Sequence, residues 1–479
     1  SRQPGPLGGR VTTVIPQHNN APRFPPKEYR AARHPMDASP IVHFRNPLSG
    51  IEMSYEVGEL SGTGFSVSEA DYDSRLITGL VLFDARMVFA DRKAISMTVQ
   101  TVYREQSAEP GFDRCGMAIL DISAEDHLAI ISLLQRDKYS DYYLSTRLNI
   151  DDLWRFFFES GFIYPKKYSY ISEIKDRLRD TYEKLYCRPN DIARHFTAQR
   201  DSGIFGHLSM VRFYEKAWLI QHHASAAKEG RAAGMRVLQQ VGRYANEAYR
   251  FRSMNLRFVM AYYRPENRFP ARVFGGLEPF VENPQECSVD EFALSHIEVS
   301  RQAETRLPPL YSVNSMSEDD YRCLDSFYAR SSGGLLLEAM HVPPFGPGFE
   351  SKSGMELSYQ EVGIERSMRL LALHKNDELV AVLVVNKADV GINLSELTNS
   401  ITVLVIDPAS VTKQVFDAVS RELAREYSTT TIPALVYPRE AADSLGINVD
   451  RVYAFWIMRM TIIDKYFQHL NRYFRDVGT

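Results

Sequence analysis

The chain has 479 residues, 44% of them hydrophobic and 24% charged, with a formal net charge of -4. Length suggests roughly three domains. The balanced charge argues against a general DNA or RNA binder, which carries a basic stripe, and no apolar run is long enough to span a bilayer.

Residues 1–35 are rich in Pro, Gly, Arg and Asn and read as a flexible leader with a basic end. No charged-then-apolar signal opens the chain. Residues 36–145 are expected as one domain, and from Ile41 to about Arg104 the pattern is short strands. Ile51 to Val57 alternates at period two, and Gly62 and Gly64 punctuate the stretch Glu59 to Val67. Further strands are expected at 80–83, 85–90, 95–103 and 115–120. Closely spaced strands of this kind suggest a small β-barrel. Ser123 then caps a helix carrying Leu128, Ile131 and Leu134 at helical spacing.

On these residues the region resembles a PilZ domain, a receptor module for cyclic di-GMP. That family carries two arginines on a flexible arm and a D/N-x-S-x-x-G motif on an early strand. Glu59-Leu60-Ser61-Gly62-Thr63-Gly64 is similar to the second motif, with Glu59 in the place of Asp or Asn. Arg30 and Arg33 precede His34-Pro35, although they are not four residues apart. The resemblance implies that Arg30, Arg33, Ser61 and Gly64 bind cyclic di-GMP. Two guanidinium groups would grip phosphates and a glycine would let the backbone approach. A degenerate barrel that only mediates contacts fits the same residues.

The region 146–305 opens with a helix capped by Asp151 or Asp152, with Leu153, Phe156 and Phe157 on its apolar face, ended by Tyr164-Pro165. A longer amphipathic helix is expected over 171–185. From His207 to Ser225 the apolar residues Val211, Phe213, Tyr214, Ala217, Trp218, Leu219 and Ile220 predict a buried strand. A turn through Lys228, Gly230, Arg231 and Gly234 leads to a helix over 235–252, then a strand over 255–263 stopped by Pro265. Helix-opening N–H groups after such a turn make a seat for phosphate.

The region 306–479 carries a helix over 318–330 between Leu307-Pro308-Pro309 and the irregular run 341–348. A hairpin follows, 368–374 with 378–385. Then come a strand over 401–406, a helix over 411–427, and strands over 432–437 and 452–461. The two regions follow one plan. Tyr263-Arg264-Pro265-Glu266 parallels Tyr437-Pro438-Arg439-Glu440, and Gly275-Gly276-Leu277 parallels Leu445-Gly446-Ile447.

This order of elements resembles the GNAT acyltransferase fold, twice over. The expected fold class is therefore α+β multidomain: a small PilZ-like β-barrel followed by two GNAT-like α/β repeats with central mixed sheets. In the family, acyl-CoA lies between splayed fourth and fifth strands, with its pyrophosphate at an R/Q-x-x-G-x-G/A turn. Arg231-Ala232-Ala233-Gly234-Met235-Arg236 is similar to that marker, and Asn267 before Phe274-Gly275 fits the following helix. The resemblance implies that Gly230, Arg231, Gly234 and Asn267 hold acyl-CoA. The second copy has Asp407 and no glycine at its turn, so the site is expected in the first copy.

Amide formation from a thioester needs a base for the amine and an acid for the thiolate. His222, His223 and Tyr263 are the candidates, with Glu215 a further one; each also reads as core or surface. The expectation is a cytoplasmic bacterial effector. Cyclic di-GMP would order the arm and alter access to an acyl-CoA site, and the acyl group would pass to an amine on a small molecule, protein or cell-wall precursor. The alternative is a non-catalytic signalling adaptor whose degenerate GNAT-like repeats bind a partner. No metal, DNA or RNA is expected, and a homodimer is among the expected assemblies. Cys115, Cys187, Cys287 and Cys323 read as buried free thiols.

Overall fold

The structure, a computed structural model, describes residues 2–4, 10–12, 27–36, 38–71, 75–136, 142–144, 148–163, 168–200, 203–226, 230–298, 306–342, 354–424, 427 and 431–476. The chain divides into two compact units, Ser1–Leu134 and Gln135–Thr479. Among the described residues, no helix is long and apolar enough to cross a membrane.

In the first unit, β1 (Arg2–Pro4) pairs with β2 (Arg10–Thr12), so backbone pairing orders two short pieces of a leader expected to be flexible throughout. The strands β3 (His34–Pro35), β4 (Ile41–Arg45), β5 (Glu52–Ser61), β6 (Gly64–Ala70), β7 (Val81–Val88), β8 (Ala94–Gln106) and β9 (Phe112–Ile122) follow. Their order is β3-β5-β4-β7-β8-β9-β6, and the β5–β6 pairing closes a six-stranded barrel with β3 added outside β5. The two strands expected at 80–83 and 85–90 are one strand. Asp84, at φ 55°, shifts the register and keeps it continuous. Helix α1 (Ala124–Arg136) starts where Ser123 Oγ accepts the Asp126 N–H at 3.0 Å.

The barrel interior holds Val42, Val57, Leu60, Phe65, Leu82 and Val99. The Glu69 side chain is buried among them. Glu69 accepts hydrogen bonds from the Tyr55 hydroxyl at 2.9 Å and the Arg75 N–H at 3.1 Å and pairs with Arg104, which also reaches Asp113 at 2.6 Å. A buried carboxylate persists only with partners of this kind.

The second unit carries β10 (Tyr142–Leu144), α2 (Ile150–Glu159), α3 (Tyr168–Glu173), α4 (Lys175–Tyr186), β11 (Ala193–Arg200), β12 (Gly203–Tyr214), β13 (Ala217–Ser225), α5 (Gly230–Ala248), β14 (Phe258–Tyr263), α6 (Arg268–Val273), α7 (Glu278–Val281) and β15 (Cys287–Glu298). It continues with β16 (Tyr311–Ser315), α8 (Glu318–Ser331), α9 (Leu336–Ala339), α10 (Gly354–Glu361), β17 (Arg366–Lys375), β18 (Glu378–Ala388), β19 (Ile401–Val405), α11 (Lys413–Ala424), β20 (Thr431–Tyr437), α12 (Ala441–Ser444), β21 (Arg451–Arg459) and α13 (Ile463–Asp476).

The two repeats build one twelve-stranded sheet, β10-β11-β12-β13-β14-β21-β15-β20-β19-β18-β17-β16. Each repeat has an antiparallel run, a helix crossover and a parallel pair: β13–α5–β14 in the first, β19–α11–β20 in the second. Their closing strands are exchanged. β21 pairs with β14, β15 pairs with β20, and β15 and β21 pair with each other at the centre. Neither repeat completes its sheet without the other.

Several local expectations change. Asn149, not Asp151 or Asp152, caps α2; its side chain accepts from both following N–H groups. The helix expected over 171–185 is two helices broken at Ile174, whose φ of -112° is not helical. The single strand expected over 207–225 is a hairpin of β12 and β13 turning at Glu215 and Lys216. Tyr164-Pro165 and residues 343–348 lie outside the described residues. Cys115 and Cys287 are buried, but Cys187 is half-buried and Cys323 is exposed, because the outer face of α8 carries it.

Candidate functional site

The parallel pair of the first repeat opens. β13 and β14 pair from Ala217↔Phe258 to Ile220↔Ala261 and no further, although β13 runs to Ser225 and β14 to Tyr263. In the second repeat the pairing of β19 with β20 reaches Leu404↔Tyr437, the last residue of β20. The opening in the first repeat contains a cavity of about 300 Å³ lined by residues of both strands.

A bulge turns β13 at this point. Ser209 faces Gln221 and His207 faces Ala224, so Leu208 alone spans His222 and His223. His222 takes φ 54°, a conformation uncommon for a residue with a side chain and one that marks local constraint. Alternation alone would send one histidine to the cleft and the other away. With the bulge, both line a cavity that crosses the sheet.

His222 is buried, its ring edge-on to Phe157, Phe162 and Tyr182. Its Nε2 accepts the Leu394 N–H at 3.4 Å, so the neutral ring carries its proton on Nδ1, 3.4 Å from the Tyr186 hydroxyl. Tyr186 in turn donates to Ser209 Oγ at 3.1 Å, and Ser209 donates to the Gln221 carbonyl at 3.2 Å. Burial pushes the Tyr186 hydroxyl up to about 12, so this chain of hydrogen bonds stays protonated. Behind it, burial drives His207 down to about 4, and its Nδ1–H donates to the His222 carbonyl at 3.0 Å.

His223 is committed differently. Its Nε2–H donates to the Gly234 carbonyl at 2.9 Å, and burial lowers its pKa. A side chain on Gly234 would come within 3.2 Å of that nitrogen, a tight contact to which the ring would have to yield. Gly234 and Gly230 are therefore not the turn before α5. The helix begins at Gly230, and Gly234 is its fifth residue, with an N–H inside the helical ladder. Unsatisfied N–H groups belong to the turn that starts at Gly230 and Arg231. The Arg231 side chain and Lys228 lie outside the described residues.

Tyr263 lines the cavity, and its hydroxyl lies against Gly275, where a side chain would collide with it. Burial, with Glu278 next in weight, raises this hydroxyl to about 12. Such a phenol donates a hydrogen bond at neutral pH but is a poor proton donor to a thiolate of pKa near 8.5. Asn267 lines the cavity from the start of α6 and makes no cap hydrogen bond with its side chain. Glu215 lies elsewhere, at the β12–β13 turn, where it accepts the Met355 N–H at 3.2 Å. Among the described residues that line the cavity there is no carboxylate.

The sequence reading missed the residues that the second repeat contributes to this cavity: Asn393, Leu394, Ser395 and Leu397, from the loop between β18 and β19. Only the Asn and Ser punctuation of residues 393–399 marked a loop there, and nothing in it pointed across the sheet.

In the barrel, His34 and Pro35 pair with Leu60 and Glu59, which lays the arm beside the Glu59 to Gly64 motif. The Arg33 guanidinium donates to the Tyr103 hydroxyl at 3.0 Å and sits 5.8 Å from the ring centroid; Arg30 is exposed. Ser61 Oγ donates to the Gly64 carbonyl at 2.9 Å, and a side chain on Gly64 would collide with the Met117 carbonyl. Glu59, at the motif's acidic position, is paired with Arg114.

No family model and no curated relative matches the chain. Among solved structures, MrkH, a c-di-GMP-dependent transcription regulatory factor known from K. pneumonia, aligns at 12% identity and TM-score 0.20 over 23% of this chain. The match covers 50% of MrkH, about half its length. The c-di-GMP-bound PilZ domain of YcgR from Escherichia coli aligns at 13% identity and TM-score 0.20, over 23% of this chain and 95% of that one. A GCN5-related N-acetyltransferase from Sphaerobacter thermophilus aligns at 11% identity and TM-score 0.33, over 60% of this chain and 85% of that one. The first unit is a six-stranded barrel and the second a twelve-stranded mixed sheet. The parted β13–β14 pair of the second unit and the arm of the barrel are the two candidate sites.

Proposed function

We propose that the chain is a cyclic di-GMP-responsive effector whose first GNAT-like repeat binds acyl-CoA and passes the acyl group to an amine. One observation carries the acyl-CoA reading: β13 and β14 part after Ile220↔Ala261 around a cavity, while β19 and β20 stay paired. The diphosphate would sit at the opening turn of α5, where N–H groups and the helix dipole favour anions. Asn267 would hold the amide-rich arm. His222 would take the amine proton at Nε2 once substrate replaces the long Leu394 bond, and Tyr263 would donate a hydrogen bond to the leaving sulfur. His223 would position α5 through Gly234. Calorimetry with acetyl-CoA on the full chain tests the reading. One site per chain is expected; no binding, or two sites, overturns it.

Arg30, Arg33, Ser61 and Gly64 are the proposed cyclic di-GMP residues. Arg30→Ala and Arg33→Ala should each weaken cyclic di-GMP by roughly tenfold to a hundredfold, the worth of a charge-assisted hydrogen bond. Equal affinity in all three forms would refute the arm. If the sites are coupled, cyclic di-GMP changes acyl-CoA affinity by the same factor that acyl-CoA changes cyclic di-GMP affinity.

A second reading is a binding module without transfer. The engaged nitrogens of His222 and His223, and the absence of a carboxylate among the described cavity residues, favour it. Acyl-CoA binding with no thioester loss toward any amine would select it.

A further inference from the structure

The far wall of the first repeat's cavity belongs to the second repeat. The loop between β18 and β19 is fixed along its length. The Thr181 hydroxyl donates to the Val390 carbonyl at 2.8 Å, and the Gln221 side chain donates to the Ile392 carbonyl. Asn393 donates to Gln221 Oε1 at 3.0 Å. Further on, Glu396 lies 3.7 Å from His296, which also contacts Asp450 at 2.8 Å. A loop held at so many points is a wall, not a flap.

The two faces of the sheet fix which end of a thioester meets this wall. α2, α4 and α8 to α10 pack on one face with Leu219, Phe258 and Met260. His223, which donates to Gly234 of α5, contacts Phe269 of α6, and α6 packs against α13. Arg194 lies over Trp218, which points to the opposite face from its neighbour Leu219, and donates to Tyr244 of α5 at 2.9 Å, so α5 and with it α6 cover the opposite face. A diphosphate at the start of α5 sends the rest of the molecule through the gap to the α2–α4 face. There it meets Phe162, Tyr262, Leu394, Leu397 and Tyr453, and Arg264 lines the same cavity.

Resting on the acyl-CoA reading above, we propose that Leu394 and Leu397 of the second repeat close the acyl end of the cleft, so that the site takes a short acyl thioester. Leu394 is 8% exposed and Leu397 is 4% exposed. The volume of about 300 Å³ lies at the small end of ligand pockets, roughly 300–1,000 Å³, so the pantetheine arm leaves little room.

The test is calorimetry on the full chain with CoA, acetyl-CoA, butyryl-CoA and octanoyl-CoA, for the native protein, Leu394→Ala and Leu394→Phe. The native protein should bind acetyl-CoA or butyryl-CoA at least tenfold more tightly than octanoyl-CoA. Leu394→Ala should improve octanoyl-CoA relative to butyryl-CoA by roughly tenfold, at about fourfold per newly buried methylene. Leu394→Phe should weaken butyryl-CoA. If no CoA species binds, the cleft reading falls and this proposal with it. If CoA binds but octanoyl-CoA matches butyryl-CoA in the native protein, the wall alone is refuted. The native series decides even if a variant fails to fold.

Discussion

His222→Asn is expected to lower acyl transfer to an amine by about 10²- to 10⁴-fold, the usual worth of a positioned base, while acyl-CoA affinity stays within about threefold. Asn is the conservative choice because His222 holds φ 54°, and Asn tolerates the left-handed region better than other residues with side chains. The imidazole has its proton on Nδ1, toward Tyr186, and its lone pair on Nε2, toward Leu394. That tautomer presents a base to anything that displaces the Leu394 N–H. His223→Asn separates the two histidines. It removes the donor to the Gly234 carbonyl and should raise KM for acyl-CoA more than it lowers kcat, because its effect runs through the position of α5. Steady-state kinetics with an amine acceptor read both; an unchanged kcat in His222→Asn would remove His222 from the chemistry.

Gly64→Ala is expected to destabilise the barrel by about 3 kcal/mol, the upper end for overpacking, and to weaken cyclic di-GMP binding by more than tenfold. The added carbon would collide with the Met117 carbonyl of the adjacent strand. That contact is backbone, so no side chain can swing away, and β6 and β9 must separate where Gly64 pairs with Ala118. The Ser61 bond to the Gly64 carbonyl moves with it. Thermal unfolding should show the barrel transition falling by roughly 10 °C or more. An unchanged transition would mean that the strand pairing at Gly64 has slack.

Elements with local causes were legible in the sequence. The β17–β18 hairpin turns at Asn376 and Asp377, at φ 50° and 66°, residue types suited to positive φ. Ser123 caps α1 as its sequence position suggests. The β12–β13 hairpin was hidden because nearly every residue of both strands is buried, leaving only Glu215 and Lys216 to mark the turn. Gly234 reads as a turn residue in isolation, yet it lies inside α5 and meets His223, a contact eleven residues back. α13 had a signal that went unread: Ile463, Tyr466 and Leu470 are buried at spacings of three and four. The exchange of β15 and β21 has no local signature, since both are apolar strands and their neighbours are chosen by tertiary packing. The same holds for Leu394, whose role depends on a strand 172 residues away in sequence. The histidines were found by residue type, but the bulge that turns both toward the cavity was not.

The most direct measurement is a crystal structure of the full chain with acetyl-CoA. The thioester should lie between residues 221–223 of β13 and 262–263 of β14, with the diphosphate at the first turn of α5 and nothing between β19 and β20. A ligand bound elsewhere, or a gap still empty at saturating acetyl-CoA, would contradict the account.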